Sequence, residues 1–240
     1  MSTRVEHSPD RLAAGYDPWF RALEIVGLFA YALFAWLVFD KLSAAAPTIV
    51  GAAWLATAAA LIGWLAADLV SGLAHWAGDT WGTPEWPVVG PTLIRTFREH
   101  HLDEKAITRH DFVETNGTNS LLTLPLFAGA WFTPIPEGGS WTYLGLASLY
   151  SMNLWVFATN QIHSWAHQDV VPRPVRWLQR ARLILSPDHH AVHHQAPYIR
   201  YYCITTGWLN PMLTGFFRRS ETLITALTGA VPRENDVIRR

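Results

Sequence analysis

Histidines dominate the residues in this chain that could do chemistry. Of its 11 histidines, ten fall in four short clusters, each at or beside the end of a long apolar segment. Imidazoles are costly to hold near a membrane unless a metal ion or a proton path uses them, so the pattern predicts bound transition metals, two in number. The clusters are His75; His100, His101 and His110; His163 and His167; and His189, His190, His193 and His194.

The first two clusters differ in the carboxylates around them. Asp68, His75 and Asp79 share one face of the helix predicted to extend past the second apolar run, so Asp79 is a candidate ligand or ligand support. Asp68 is a candidate support, and for Asp68 and Asp79 alike the alternative is a satisfied aspartate that caps a loop. His100 and His101 are adjacent on a helix, so their side chains point in different directions and cannot bind the same ion. Either they bind two different ions, or one of them binds while the other orients a neighbour.

Further candidates surround these histidines. Side chains at i, i+4 on a helix lie about 5–6 Å apart, so His163 and His167 are spaced to bind one ion. The sequence Ser186-Pro187-Asp188 predicts a helix start before the fourth cluster, which holds the ligands His190, His193 and His194. The residues left open between metal ligand and supporting role are Asp68, Asp79, Glu99, His110, Asn160 and His189.

The choice of metal follows from the donors. Imidazole suits iron, zinc, copper and nickel, whereas the single cysteine, Cys203, excludes a zinc-thiolate site and an intrachain disulfide. Many histidines with few carboxylates fit a pair of iron ions bound mostly by nitrogen. The formal net charge of −1 argues against nucleic acid as a partner.

The apolar runs predict an all-α membrane protein. About 20 helical residues span a bilayer core, and the runs 22–39, 48–67 and 141–159 meet that length, whereas 121–135 is short and could be broken or re-entrant. Arginines concentrate on one side, which places both termini and the histidine clusters in the cytoplasm. We expect about four transmembrane helices in one domain over 21–228, between an N-terminal segment 1–20 without a cleavable signal and a polar tail 229–240.

Several segments resemble the membrane lipid desaturases of the Kua/CarF type. They are HWAGDTWG (75–82), FREHH (97–101), ITRHDFVETNG (107–117), NQIHSWAH (160–167), PDHHAVHH (187–194) and YCITTGWLN (202–210). The resemblance implies a fatty-acid-desaturase-like fold with a cytoplasmic histidine-rich cap. It also implies two iron ions, O2 as co-substrate and conversion of the alkyl ether chain of plasmanylethanolamine to the vinyl ether of a plasmalogen.

The histidine boxes of the more distant acyl-CoA desaturases fit only in part. His190, His193 and His194 match the last box, but Phe97 replaces the first histidine of the middle box, and Asp79 stands four residues after His75 where a histidine is expected. His163 and His167 would then complete the ligand set, with Asn160 near the metal.

The expected partners are a membrane phospholipid and an external electron donor of the cytochrome b5 or ferredoxin type, since no flavin, haem or ferredoxin motif is present. Arginine matches phosphate geometry, so Arg95, Arg98, Arg109 and Arg200 are candidates for the headgroup, although each could equally be an ordinary membrane anchor. Abundant arginine, alanine and tryptophan favour a bacterial inner membrane, with the endoplasmic reticulum expected for a eukaryotic source.

Four alternative functions stay open at this point. The same metal core could desaturate or hydroxylate a phospholipid acyl chain. Paired histidines could ligate b-type haem in an electron carrier, or the metals could belong to a transporter or to a zinc-dependent lipid hydrolase.

Overall fold

All regular structure in the described part of the chain is helical. The computed structural model describes residues 18–83, 85–87, 89–90 and 94–232, except for the side chains of 95, 96, 98 and 99. Residues 1–17 of the expected N-terminal segment and 233–240 of the expected tail lie outside these ranges. The α-helices are α1 (Pro18–Ala45), α2 (Ala52–Thr80), α3 (Arg95–Leu102), α4 (Phe112–Phe132), α5 (Ser140–His167), α6 (Arg173–Arg180), α7 (Pro187–His190) and α8 (Asn210–Thr228).

Four long helices form the body of the molecule. Gly117 of α4 faces Glu24 of α1, and Phe127 packs on Tyr31, so α1 and α4 run in the same direction. In the same way, Gly63 of α2 faces Ser151 of α5. Further along both helices His75 approaches His163, so α2 and α5 are also parallel to each other. The short connection through Ala46–Thr48 reverses the chain between α1 and α2.

The outer surfaces of these helices are apolar, and their contact faces are small or polar. Phe29 and Trp36 of α1 and Leu61 of α2 are exposed, whereas Gly63 and Ala67 are buried against α5 and its neighbours. This arrangement is the reverse of a water-soluble bundle and suits a lipid environment. By length and composition, two segments of the described residues could cross a membrane, Pro18–Thr48 and Ala52–Thr80.

The bundle brings the histidine clusters to one end. The C-terminal ends of α2 and α5 carry His75 and His163, and the helix α3 and the segment that begins with α7 lie beside them. α7 begins as predicted, because the Ser186 hydroxyl accepts a hydrogen bond from the His189 amide. The α-helix ends at His190, however, and residues 191–194 continue as turns.

Candidate metal centre

The first half of the centre is built on the last turns of α2. His75 and Asp79 are one helical turn apart and fully buried, and His75 Nε2 lies 3.2 Å from Asp79 Oδ2. His75 Nδ1 lies 3.0 Å from the Tyr202 carbonyl oxygen. Because a carbonyl only accepts, the Nδ1–H donates and Nε2 keeps a lone pair that points toward Asp79.

Two more histidines complete this first group. His101 Nε2 and His193 Nε2 lie 3.0 Å apart, and each is 3.6 Å from Asp79 Oδ2. His193 Nδ1 donates to the Arg200 carbonyl at 3.0 Å, so its Nε2 is also left as a lone-pair donor. One ligand atom from each of His75, Asp79, His101 and His193 lies within 4.8 Å of all the others, and we call these four residues the aspartate group.

The second group consists of histidines alone. Short contacts link four Nε2 atoms in a row: His163 to His190 at 2.8 Å, His190 to His194 at 3.0 Å, and His194 to His100 at 2.9 Å. The all-histidine group, with ligand atoms again within 4.8 Å of one another, is His100, His163, His167, His190 and His194.

Hydrogen bonding between the rings cannot account for this second arrangement. A neutral imidazole nitrogen carries either one proton or one lone pair, yet His190 Nε2 and His194 Nε2 each face two other nitrogens. His167 Nε2 is buried without a hydrogen-bond partner among the described residues. A cation at the centre would accept every lone pair at once, and nitrogens about 2.1 Å from one ion are about 3.0 Å apart at a right angle. The residues therefore fit a bound metal ion.

Burial keeps these rings neutral, as metal ligation requires. It is the main cause that lowers the pKa of His193 to about 3, with the charge of His194 second. Burial, with neighbouring imidazoles second, also lowers the pKa of His100 and of His190 well below the ordinary value. Neutral imidazoles offer lone pairs to a metal, and they do not repel one another as cations would.

The two groups lie next to each other. His75 of the aspartate group has its ring centre 5.9 Å from that of His163, and the rings of His190 and His193 are 5.6 Å apart. The adjacent residues His100 and His101 fall in different groups, as expected if each serves its own ion. The two groups are therefore two adjacent candidate metal sites.

Three contacts that support the ligands were not expected from the sequence. Glu104 Oε1 lies 3.3 Å from His194 Nδ1. Phe97, which stands where a box histidine would be, stacks on His75 with ring centres 4.9 Å apart. Tyr198 stacks on His101 at the same centroid distance. Glu104 is three residues after His101, but nothing in the sequence distinguishes it from the other carboxylates of a polar loop.

Asp68, predicted as a supporting carboxylate or as a loop cap, contacts a loop. Its Oδ1 accepts hydrogen bonds from the amides of Thr206 and Gly207 at 2.7 and 2.9 Å, and its Oδ2 accepts from Leu209 at 3.1 Å. These three contacts match the loop-capping alternative. They fix the 206–209 turn against α2, seven residues before His75.

The other predicted supporting residues are spread around the centre. His189 receives a hydrogen bond on Nε2 from Asn210 Nδ2 at 3.1 Å and stacks on Tyr201, and it belongs to neither group. His110 Nε2 lies 3.6 Å from Glu114 Oε1, also outside both groups. Asn160 is half-buried on α5, three residues before His163.

Two of the four predicted headgroup arginines can be placed. Arg109 pairs with Asp103 at 2.5 Å, and Arg200 donates to Gln195 Oε1 at 2.8 Å. The side chains of Arg95 and Arg98, and that of Glu99, lie outside the described residues.

Comparisons with known proteins place the chain in a family. Residues 64–235 match the lipid desaturase domain. The chain is 50% identical over 228 residues to the plasmanylethanolamine desaturase of Myxococcus xanthus, covering 94% of this chain and 79% of that one. It is 49% identical over 181 residues to plasmanylethanolamine desaturase 1 of Mus musculus, covering 73% and 67%.

A more distant relative is fatty acid desaturase 4, chloroplastic, of Arabidopsis thaliana, 34% identical over 180 residues that cover 71% of this chain and 52% of that one. No solved structure matches the chain. The domain match spans both metal-ligand groups, and the chain belongs to the lipid desaturase family.

Proposed function

We propose that this chain is an integral membrane enzyme that desaturates the alkyl ether chain of plasmanylethanolamine to the vinyl ether of a plasmalogen. The observation that carries the proposal is the convergence of nine ligand residues in two adjacent, buried groups. The names of the two relatives near 50% identity supply the substrate. The fold and its apolar outer surface fit a substrate that arrives from the bilayer.

The reaction balances with one O2 and two electrons. Two hydrogens leave adjacent carbons of the chain, two protons and two electrons are added, and O2 is reduced to two waters. A separate electron carrier of the cytochrome b5 or ferredoxin type supplies the electrons. Two iron ions, when bound, supply the O2-dependent oxidising chemistry.

The chain's own residues hold and tune that centre. The carbonyls of Tyr202 and Arg200 fix the orientation of His75 and His193, so each ring presents Nε2. Asp79 adds the only carboxylate of the two groups, so the aspartate group carries a negative charge that the all-histidine group lacks. Most of the ligands are buried, which excludes bulk water from the reacting carbons.

The proposed topology has four membrane crossings, by α1, α2, α4 and α5. The parallel pairs α1–α4 and α2–α5 bring the α2 and α5 C-terminal ends to one side, and arginine-rich segments follow there. By the positive-inside rule that side, with the metal centre and both termini, is cytoplasmic, in a bacterial inner membrane. The catalytic domain then covers 21–228.

The test is lipid analysis of cells that lack plasmalogens and express this chain. We expect acid-labile vinyl ethers with the wild type and with His110→Ala, and none with His193→Ala, while purified wild-type protein contains iron. Vinyl ethers undiminished in His193→Ala, or full activity of the protein after removal of all iron, would contradict the proposal.

A further inference from the structure

A second polar site lies next to the metal centre, on the other side of the 186–194 segment. A cavity of about 680 Å³ opens between the end of α5, α6 and this segment. Its wall includes three arginines, Arg176, Arg180 and Arg182, and two aspartates, Asp169 and Asp188. Neither Arg109 nor Arg200, the predicted headgroup residues whose side chains are described, lines it.

Three tryptophans place one end of this cavity, at Arg182, near the edge of the membrane. Trp208 packs on Trp64 of α2 with ring centres 4.8 Å apart, and Trp64 packs on Trp155 of α5 at 6.3 Å. Trp64 lies near the end of the apolar run 48–67, which is where interfacial tryptophans are enriched. Trp208 Nε1 donates to the Arg182 carbonyl at 2.7 Å, so Arg182 is held at this level.

The metal centre lies further along the same helix. From Trp64 to His75 is eleven residues of α2, or about 16 Å along the helix axis. Arg182 is therefore near the expected level of lipid phosphates, whereas the other end of the cavity, at Gln168 and Asp169, directly follows His167 of the all-histidine group. The cavity thus extends from the expected level of the lipid phosphates to that of the metal centre, which favours the headgroup of a lipid whose chain must reach the metal side.

The helix that carries two of the arginines has the features of a membrane-surface helix. α6 exposes Arg173, Arg176, Trp177 and Arg180, whereas Val175 and Gln179 are buried against the protein. Basic residues with an exposed tryptophan are typical of helices that lie at the interface of a membrane. Lipid phosphates are the anions in reach of such a surface.

The cavity and the metal centre share a wall. His189 and Val192 line the cavity, and their sequence neighbours His190 and His193 belong to the two ligand groups. In an alkyl ether phospholipid the two carbons to be desaturated are six and seven bonds from the phosphorus, about 8–9 Å when extended. A phosphate held at this wall would keep those carbons within reach of the metal side.

We propose that this cavity binds the phosphoethanolamine headgroup of the lipid substrate. Arg176, Arg180 and Arg182 bind the phosphodiester, and Asp188 binds the ammonium group. Arginine forks match the oxygens of a phosphate. Of the two carboxylates in the wall, Asp169 pairs with Lys105 at 2.7 Å, so Asp188 is the one assigned to the ammonium group of a zwitterion. The identity of the lipid rests on the proposed function, whereas the presence of a headgroup site rests on the cavity itself.

The test measures lipid binding without turnover. Purified protein in detergent is equilibrated with a 1-O-alkyl-2-acyl-glycerophosphoethanolamine or with the matching phosphate-free alkylacylglycerol, and bound lipid is quantified by mass spectrometry. The variant R180Q/R182Q is compared with R218Q/R219Q, which also removes two exposed positive charges but outside the cavity and outside α6. Metal content and helicity serve as checks of folding.

We expect R180Q/R182Q to bind the phospholipid about ten-fold more weakly or worse, with binding of the phosphate-free lipid unchanged. R218Q/R219Q should stay within about two-fold of the wild type, as expected for screened surface charges. Equal losses in both double variants, or no loss in R180Q/R182Q, overturn the proposal. Displacement of the lipid by millimolar inorganic phosphate alone also overturns it, because the site would then bind a free anion.

A second variant tests the ammonium contact. D188N should lower the preference for the ethanolamine lipid over an alkylacyl-glycerophosphoglycerol, and an unchanged preference removes Asp188 from the site. Because binding is measured directly, a wild type that binds the lipid but forms no vinyl ether would refute the proposed reaction and leave the headgroup site standing.

Discussion

His75 on α2 and Tyr202, which are 127 positions apart in the chain, are joined by a 3.0 Å contact between His75 Nδ1 and the Tyr202 carbonyl oxygen. Two residues earlier in the same segment, the Arg200 carbonyl makes the equivalent contact with His193 Nδ1 at 3.0 Å. A single irregular segment therefore orients two histidines of the aspartate group. Its distance from α2 decides whether both rings point at the metal.

Gly72 sets that distance. A Cβ atom at this position would lie 2.5 Å from Cys203 Sγ, so Gly72→Ala should push the 202–204 segment away from α2. We expect a loss of about 1–3 kcal/mol in stability and a lower metal content, measured by thermal unfolding and elemental analysis. The double variant Gly72→Ala/Cys203→Ala removes the clashing sulfur and should recover most of both. No recovery in the double variant would count against this explanation.

Asp79 distinguishes the two metal positions. It is fully buried and belongs to the aspartate group only, so Asp79→Asn removes an anionic ligand from one position and leaves the five histidines of the other intact. We expect iron to fall from about two to about one per chain after reconstitution, with desaturation abolished. The control is Asp169→Asn, since Asp169 is exposed and pairs with Lys105 at 2.7 Å. Equal iron content in both variants would refute a metal-ligand role for Asp79.

Glu104 is expected to act on the metal through His194. Its carboxylate lies 3.3 Å from His194 Nδ1, on the side of the ring opposite Nε2. Loss of such a partner commonly costs 10–100-fold in metal affinity or activity, so Glu104→Gln should weaken iron binding in a competition with a chelator by about that factor. Glu114→Gln is the matched control, because Glu114 stands beside His110, which belongs to neither ligand group. Similar affinities in the two variants would show that Glu104 does not support the metal.

The sequence predicted which histidines come together better than it predicted the groups that surround them. Helical spacing was enough to assign His75 with Asp79 and His163 with His167, because residues one turn apart share a face. The spacing could not decide between two roles for Asp68, since its hydrogen-bond partners, the amides of 206–209, lie about 140 residues away. A backbone group such as the Tyr202 carbonyl cannot be predicted from residue type, because every residue has a carbonyl.

The membrane topology was predictable from composition only up to a point. The run 48–67 in α2 carries no charge and the run 22–39 in α1 only Glu24, and both helices are long and apolar enough to cross a membrane. α4 is longer than the predicted run 121–135, because it starts with the polar turn after Phe112, capped by the Asp111 carboxylate. Those polar residues, including Asn116 and Ser120, are buried between helices. Hydropathy alone cannot recognise that polar side chains belong to a membrane helix when they face other helices.

Cysteine labelling tests the proposed orientation, because the single native cysteine should contribute little labelling of its own. Cys203 is buried, and burial raises the pKa of its thiol, so it should not react. Ser43 and Gln195 are exposed and lie on opposite sides in the proposed topology. In spheroplasts, a membrane-impermeant maleimide should label Ser43→Cys but reach Gln195→Cys only after lysis. Labelling of Gln195→Cys in intact spheroplasts would reverse the orientation.

Lys41 holds together the end of the bundle away from the metals. Its Nζ donates to the carbonyls of Ala130 and Trp131 at 2.8 Å each, and also to that of Thr133, where α4 ends. A cation at a helix C-terminus satisfies carbonyls that have no partner within the helix and interacts favourably with the helix dipole. Lys41→Met keeps the length of the side chain but removes the donors, so we expect a loss of about 2 kcal/mol in stability.

The same variant separates stability from chemistry. Because Lys41 is at the far end of α1 from the ligands, Lys41→Met should lower the thermal midpoint in detergent while its iron content and its turnover at low temperature stay at the wild-type level. Lys41→Arg, which can still donate to the α4 carbonyls, should recover part of the lost midpoint. A fall in iron content equal to that of Asp79→Asn would mean that the two ends of the bundle are coupled, which the contacts of Lys41 give no reason to expect.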